Sequence, residues 1–225
     1  MKENVEVVCD AGPLISLASS CLLNKINQMN IKFVIPPSVF YESITHPSVI
    51  NRFKLESKRI KKYVDQGKII LKTPLKSTVE ELENILNNLI YHKNKPLKLF
   101  HNGEIECLAL IHDFKYNCFL IDERTTRLTF ENINLLKTYI EIKNKFHVKI
   151  NKENYRRLLK YMPKFDIIRS ADLCAYGFYK GLFDDLGNSA DTLNAILWSL
   201  KLNGCAISKK EIDDYTLLFS NLEKI

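Results

Sequence analysis

The first 130 residues combine two patterns of apolar and polar positions. Four short, almost continuous apolar runs predict buried strands, at 5–9, 31–36, 68–74 and 117–123. Apolar residues at helical spacing predict the helices between them, at 13–26, 39–44, 49–67, 77–92 and 102–114. Apolar strands that are separated by helices are typical of a parallel sheet covered on both faces. The pattern therefore predicts an α/β fold.

Polar residues and prolines suggest where several of these helices begin and end. Pro13 suits the first turn of the first helix. Ser38 is the expected N-cap of the helix over 39–44, and Ser77 with Glu80 has the capping-box pattern of the helix over 77–92. Gly67 is the expected C-cap of the helix over 49–67.

Beyond residue 124 the pattern becomes mostly helical. Helices are predicted at 124–145, 151–162, 190–204 and 208–222. A short strand is expected at 146–150, and a strand followed by a helix at 165–182. No repeat or Pro/Gly-rich linker interrupts this part. We therefore expect residues 1–130 to form the core and residues 131–225 to form a mostly helical extension that packs on the core or completes it.

Composition narrows the class of protein without identifying an activity. The 225 residues are 46% hydrophobic and 26% charged, and no apolar run is long enough to span a bilayer, so we expect a globular cytoplasmic protein. The six cysteines lack metal-ligand spacing and are expected to be free thiols. The net charge of +7 suits a polyanionic partner, although a generally basic proteome would explain it equally well.

Four acidic residues stand at the ends of predicted elements, with apolar neighbours. They are Asp10, Glu42, Glu104 and Asp122. Taken singly, each has a structural explanation, such as a turn or a helix cap. As a set, clustered carboxylates repel one another unless a cation neutralises them, and Mg²⁺ or Mn²⁺ prefers such oxygen ligands. The set therefore favours a divalent-metal site.

Four segments resemble one known family, in order and in context. "VVCDAGPLISLA", "VIPPSVFYESI", "NGEIECLALIH" and "FLIDERTTR" are similar to motifs of archaeal and bacterial PIN-domain proteins, over about residues 5–130. The later "FDIIRSADLCAYGFYKGL" resembles an extension of archaeal members. The resemblance implies a three-layer α/β/α sandwich with a central parallel sheet.

The resemblance also implies roles for the acidic residues. Asp10 matches the first metal ligand and Glu42 the second. Glu104 matches the third, with Glu106 as a competitor, because the two face different sides of a helix. Asp122 or Glu123 would be the fourth, and Ile121 stands where related toxins often have Ser or Thr. The implied chemistry is hydrolysis of a phosphodiester with Mg²⁺ or Mn²⁺.

Basic residues near these motifs are candidates for contact with nucleic acid. Arg124 and Arg127 follow the last acidic motif, and Arg59 and Lys62 belong to a basic helix that also carries aromatic residues. Ordinary solvated arginines and lysines on a helix face would give the same pattern.

The function that the resemblance implies is a metal-dependent endoribonuclease acting on single-stranded or structured RNA. The alternatives are a catalytically weak or inactive PIN-like scaffold that binds RNA, and a nuclease that acts on DNA. The implied partners are an antitoxin, an RNA-processing assembly or a second copy of the chain, with no membrane.

Overall fold

The computed structural model describes residues 5–222. In chain order its elements are β1 (Val5–Cys9), α1 (Ala11–Ser19), α2 (Leu23–Ile26), β2 (Ile31–Ile35), α3 (Pro37–Phe40), a π-helical turn (Tyr41–Thr45), α4 (His46–Ser48), α5 (Lys54–Asp65), β3 (Ile69–Leu71), α6 (Lys76–Asn87), β4 (Ile90–His92), β5 (Lys95–Pro96), α7 (Asn102–Phe114), β6 (Cys118–Leu120), α8 (Arg124–Glu131), α9 (Ile133–Asn144), β7 (Lys149–Ile150), α10 (Lys152–Tyr161), β8 (Asp166–Ile168), α11 (Ser170–Tyr179), a 3₁₀ turn (Asp184–Leu186), α12 (Ala190–Leu202) and α13 (Lys209–Leu222).

A five-stranded parallel sheet in the order β3-β2-β1-β6-β8 forms the centre of the molecule. In the register of the sheet, Val8 pairs with Val34 on one side and with Phe119 on the other. All three side chains are buried, as expected for strands covered on both faces. Helices flank the sheet, so the predicted α/β/α fold is confirmed.

The fifth strand comes from the part of the chain beyond residue 130. β8 pairs with β6, and Ile167 lies opposite Phe119. The later residues thus supply an edge strand of the central sheet. The proposed domain boundary at residue 130 stays a prediction.

The helix predicted at 13–26 is wrong in its bounds. α1 begins at Ala11, because Asp10 is its N-cap, and it ends at Ser19. Cys21 then adopts a left-handed conformation, with φ of 58°, which separates α1 from α2. Asp10 is therefore fixed between the end of a strand and the start of a helix.

The capping box predicted at Ser77 and Glu80 is also wrong. α6 begins earlier, and the carboxylate of Asp113 on α7 accepts hydrogen bonds from the backbone N–H of Leu75, at 2.6 Å, and from the Thr78 hydroxyl, at 2.7 Å. The end of the predicted helix is instead strand β4, which pairs antiparallel with β5 and β7. A distant carboxylate and a distant strand thus override the local pattern.

Two further helix predictions differ from the structure. The helix over 124–145 is interrupted at Asn132, whose side-chain oxygen caps α9 by accepting from two backbone N–H groups at 3.1 Å. Ser38 is not an N-cap, because α3 begins at Pro37. Within the described residues, no helix combines the length and apolar character needed to cross a membrane.

Candidate functional site

A cleft of about 700 Å³ lies beyond the carboxyl ends of β1 and β6. Ligands of parallel α/β sheets commonly bind at this edge. The four carboxylates singled out from the sequence all line the cleft: Asp10, Glu42, Glu104 and Asp122. Glu123, Arg124 and His101 also line it. The fold thus brings together acidic residues that are far apart in the chain.

Asp10 is held firmly at the end of β1. Its backbone N–H donates to the carbonyl of Leu120 on the neighbouring strand, at 3.0 Å, and the N–H of Gly12 donates to its Oδ2, at 3.4 Å. Burial raises the pKa of Asp10 to about 6, and the nearby charges of Glu42 and Asp122 add to this shift. The surroundings of Asp10 therefore disfavour its ionised form.

Glu104 lies in the first turn of α7 and is almost completely buried. It accepts hydrogen bonds from the backbone N–H of His101 and from the Thr126 hydroxyl, the latter at 3.2 Å. Burial, together with the charge of Asp10, raises its pKa to about 8 against the opposing effect of these hydrogen bonds. Without a neighbouring cation, Glu104 thus holds a proton at neutral pH.

Glu42 and Asp10 both approach the backbone of Gly103. A Cβ atom at Gly103 would lie 3.3 Å from Glu42 Oε2 and 3.4 Å from Asp10 Oδ1. Glu42 belongs to the π-helical turn, and such irregular turns are frequent at functional sites. Burial also raises the pKa of Glu42. The absence of a side chain at Gly103 thus leaves space where two carboxylates converge.

Asp122 differs from the other three because its oxygens already have several donors. Oδ2 accepts from the hydroxyls of Ser16, at 3.1 Å, and Ser170, at 2.7 Å. Oδ1 accepts from the Ser170 backbone N–H, at 2.8 Å, and from the Cys205 thiol, at 3.3 Å. Asp122 therefore connects α1, α11 and the segment after α12.

A comparison with models of known protein families identifies the family to which this fold belongs. A family model described as a PIN domain matches residues 6–138. The chain belongs to the PIN-domain family. No curated protein matches the chain. The PIN match includes all four cleft carboxylates, whereas Ser170 and Cys205 lie beyond it. PIN is a nuclease-type fold whose members typically use divalent metals and bind nucleic acid.

The two competing acidic residues of this PIN domain have different positions. Glu106 accepts from the backbone N–H of Ser38, at 2.9 Å, near the start of α3, and it is not among the residues that line the cleft. Glu123 lines the cleft, but it also caps α8 by accepting from the N–H of Thr126, at 2.8 Å. The choice of metal ligands among these carboxylates stays a prediction.

Of the four basic residues predicted to contact nucleic acid, Arg124 alone lines the cleft. Its guanidinium carbon lies 5.4 Å from the ring centroid of Tyr139, another cleft residue. Arg127 pairs instead with Glu131 at 3.7 Å. Arg59 donates to the carbonyl of Ala18, at 2.8 Å, and lines a separate cavity with Lys62.

The sequence did not single out the residues that hold the carboxylates of the PIN domain in place. Ser16 lies inside an apolar helix, and Ser170 and Cys205 lie far down the chain. One signal was present: "IIRSAD" places a short polar residue, Ser170, two positions after the end of a strand, whereas in "VVCDAG" Asp10 follows the strand directly. Such a residue can cap the following helix or bond to the neighbouring strand end.

The residues of the cleft suit a hard divalent cation, and Mg²⁺ and Mn²⁺ take such carboxylate oxygen donors. The space beside Gly103 lies between two of the carboxylates. Between residues 5 and 222, no group of three or more His, Cys, Asp and Glu side chains has the geometry of a finished metal site. Binding of a cation would therefore require the carboxylates to move closer together.

Proposed function

We propose that this PIN protein is a divalent-metal-dependent endoribonuclease that hydrolyses RNA phosphodiesters. The observation that supports this most is the convergence of Asp10 and Glu42 beside Gly103, next to buried Glu104. Burial and neighbouring carboxylates raise the pKa of Asp10 and of Glu104, and no positive side chain offsets either shift among the described residues. A bound cation and a phosphate group would complete such a site.

In this proposal Asp10, Glu42 and Glu104 hold Mg²⁺ or Mn²⁺, and Asp122 completes the site. The cation supplies activation of water and stabilisation of the leaving oxygen. Arg124, at the edge of the cleft, would donate to a phosphate oxygen of the strand. The net charge of +7 favours a polyanionic substrate. An antitoxin, an RNA-processing assembly or a second copy of the chain would be the partner.

A second candidate function is a PIN scaffold that binds RNA without cutting it. One observation favours it: Asp122 already accepts hydrogen bonds from Ser16, Ser170 and Cys205. A carboxylate with these donors has less capacity to bind a cation. The two candidates differ in one measurable property, which is metal-dependent cleavage.

Cleavage of matched single-stranded RNA and DNA, with Mg²⁺, Mn²⁺ or EDTA, tests the proposal. We expect RNA cleavage that requires the cation and falls by roughly 100-fold or more in Asp10→Asn and in Glu104→Gln. Asp65→Asn is the matched control, because Asp65 lies exposed at the end of α5 and should leave the rate unchanged.

Three results would contradict the proposal. Cleavage that survives Asp10→Asn would assign the activity to a contaminant or to another site. Faster cleavage of DNA would change the substrate class. Binding of RNA without any cleavage would favour the scaffold.

A further inference from the structure

A second cavity, of about 300 Å³, adjoins the acidic cleft. Ile15 and Glu42 line both cavities, so the two are adjacent at these residues. The second cavity is also lined by Pro47, Ile50, Phe53 and Glu56. Ser43 and His46 complete the lining. A small, mostly apolar pocket with a few polar groups is typical of ligand-binding sites.

One polar side chain of this pocket, that of Glu56, has an oxygen without a partner. Its Oε2 is buried from solvent and has no hydrogen-bond partner among the residues that the structure describes. Buried polar atoms are nearly always paired, because an unpaired one loses its hydration without compensation. The wall of the pocket therefore contains an unused acceptor, which a small rotation of the Glu56 side chain would turn toward an N–H donor from outside the chain.

The rim of the pocket carries an aromatic ring and a cation. Phe53 lines the pocket and is 41% exposed, which leaves part of its ring accessible for stacking. The guanidinium carbon of Arg52 lies 5.2 Å from the centroid of this ring. Exposed aromatic faces that are flanked by arginine are typical of sites for unpaired bases and their phosphates.

We propose that this pocket binds an unpaired base of the strand that is cut in the adjoining cleft. Phe53 stacks on the base, Glu56 accepts an N–H from the base edge, and Arg52 contacts the flanking phosphate. The identity of the strand as RNA rests on the proposed function. An aliphatic side chain from a partner protein would fill the apolar walls but would leave Glu56 unpaired.

The geometry also limits the substrate at this position. A base whose ring enters the pocket and stacks on Phe53 must leave its position opposite a pairing partner. The strand must therefore be unpaired where it enters the pocket, which excludes continuous duplex RNA as the substrate at that nucleotide.

Two mononucleotides that differ by one donor test the proposal. Adenosine monophosphate and purine riboside monophosphate share a ring system, and the second lacks the exocyclic amino group. In EDTA, followed by NMR chemical shifts, we expect the protein to bind the adenine nucleotide about fivefold or more tightly. Glu56→Met should bind both nucleotides equally, and Phe53→Ala should weaken both.

The variants and controls keep a negative result interpretable. Glu56→Met removes a buried, unpaired carboxylate oxygen and should fold at least as stably as the original chain. Leu55→Ala, at a neighbouring exposed position outside the pocket, is the matched control and should bind like the original chain. Thermal unfolding of each variant by circular dichroism verifies that it is folded.

Equal affinity of the original chain for the two nucleotides would overturn the proposal, as would unchanged binding in Phe53→Ala. Self-association that Phe53→Ala abolishes, without any nucleotide binding, would overturn it in favour of a second copy as the occupant. Because the assay contains no metal and needs no cleavage, it separates the two proposals. Discrimination between the nucleotides without RNA cleavage would support the pocket and contradict the endonuclease.

Discussion

In two clusters of carboxylates in this protein, the pKa values are shifted in opposite directions. In the cleft, burial raises the pKa of Asp10 to about 6 and that of Glu104 to about 8. In a second cluster, at the start of α11 and α13, burial acts in the same direction but is outweighed. Hydrogen bonds from Ser208 and Arg169 hold the pKa of Glu211 down to about 2, and those from Arg169 and Tyr215 lower that of Asp172.

The two clusters differ in whether the chain itself supplies a cation to the carboxylates. Arg169 contacts both oxygens of Asp172, at 3.1 Å each, and Glu211 Oε1, at 2.6 Å. In this cluster a cation of the chain itself compensates part of the negative charge and links α11 to α13. The cleft has no comparable guanidinium against Asp10 or Glu104 among the contacts of the described residues. Acids left in this state are typical of functional sites.

The largest effect should come from removing the cation of the second cluster. Arg169→Met leaves Asp172 and Glu211 without their partner, and we expect the free energy of unfolding in urea to fall by about 3 kcal/mol. The control is Arg157→Met, which breaks a partly exposed pair with Glu81 and should cost less than about 1 kcal/mol. Equal losses in the two variants would remove the distinction between the clusters.

Asp122→Asn tests whether Asp122 belongs to the framework of the cleft. The amide keeps one acceptor oxygen, so donors from Ser16, Ser170 or Cys205 lose their partner. We expect a loss of about 2 kcal/mol in the free energy of unfolding, and about 1 kcal/mol for Ser170→Ala. Unchanged stability together with lost cation binding would instead identify Asp122 as a free ligand.

The raised pKa of Glu104 in the cleft should be visible in how the stability of the protein depends on pH. Glu104 keeps its proton in the folded state up to a pKa of about 8, but only to about 4.5 when unfolded, so the folded state binds more protons between these values. The free energy of unfolding in EDTA should therefore fall as the pH rises from 5 to 8. Glu104→Gln should reduce this fall by about 3 kcal/mol. An unaltered slope would contradict the assigned pKa shift.

Gly103→Ala should have the smallest effect on stability and a clear effect on binding. The added Cβ lies close to Glu42 and Asp10, while alanine favours the helix by about 1 kcal/mol. We expect the free energy of unfolding to change by less than about 1 kcal/mol, and the affinity for Mn²⁺ to fall. Gly177→Ala, on α11, is a control for the helical effect. Equal Mn²⁺ affinity in Gly103→Ala would argue against a cation beside Gly103.

The central sheet was predictable because its strands carry their own signal. Val7, Val8 and Cys9 form an apolar run that only a buried strand explains well, and all three are buried. Both ends of the helix predicted at 77–92 failed because their partners come from elsewhere in the chain. Asp113 fixes the start of α6, and β4 exists because Lys149 and Ile150 pair with it.

The candidate site was predictable only in part, for a similar reason. Asp10 and Glu104 stand beside local signals, the end of a strand and the start of a helix. The environment of Asp122 depends on Ser170 and Cys205, which lie 48 and 83 residues further along the chain. No local pattern connects such residues, so the sequence predicts that the carboxylates converge but not which of them are already hydrogen-bonded.

Calorimetric titration of Mn²⁺ at pH 7, in two buffers of different ionisation enthalpy, tests the central claim most directly. If the cleft carboxylates lack only a cation, Mn²⁺ should bind and release about one proton, chiefly from Glu104. Asp10→Asn should weaken this binding by roughly tenfold or more, while Asp65→Asn should leave it unchanged. The absence of binding, or equal binding by Asp10→Asn, would contradict the account.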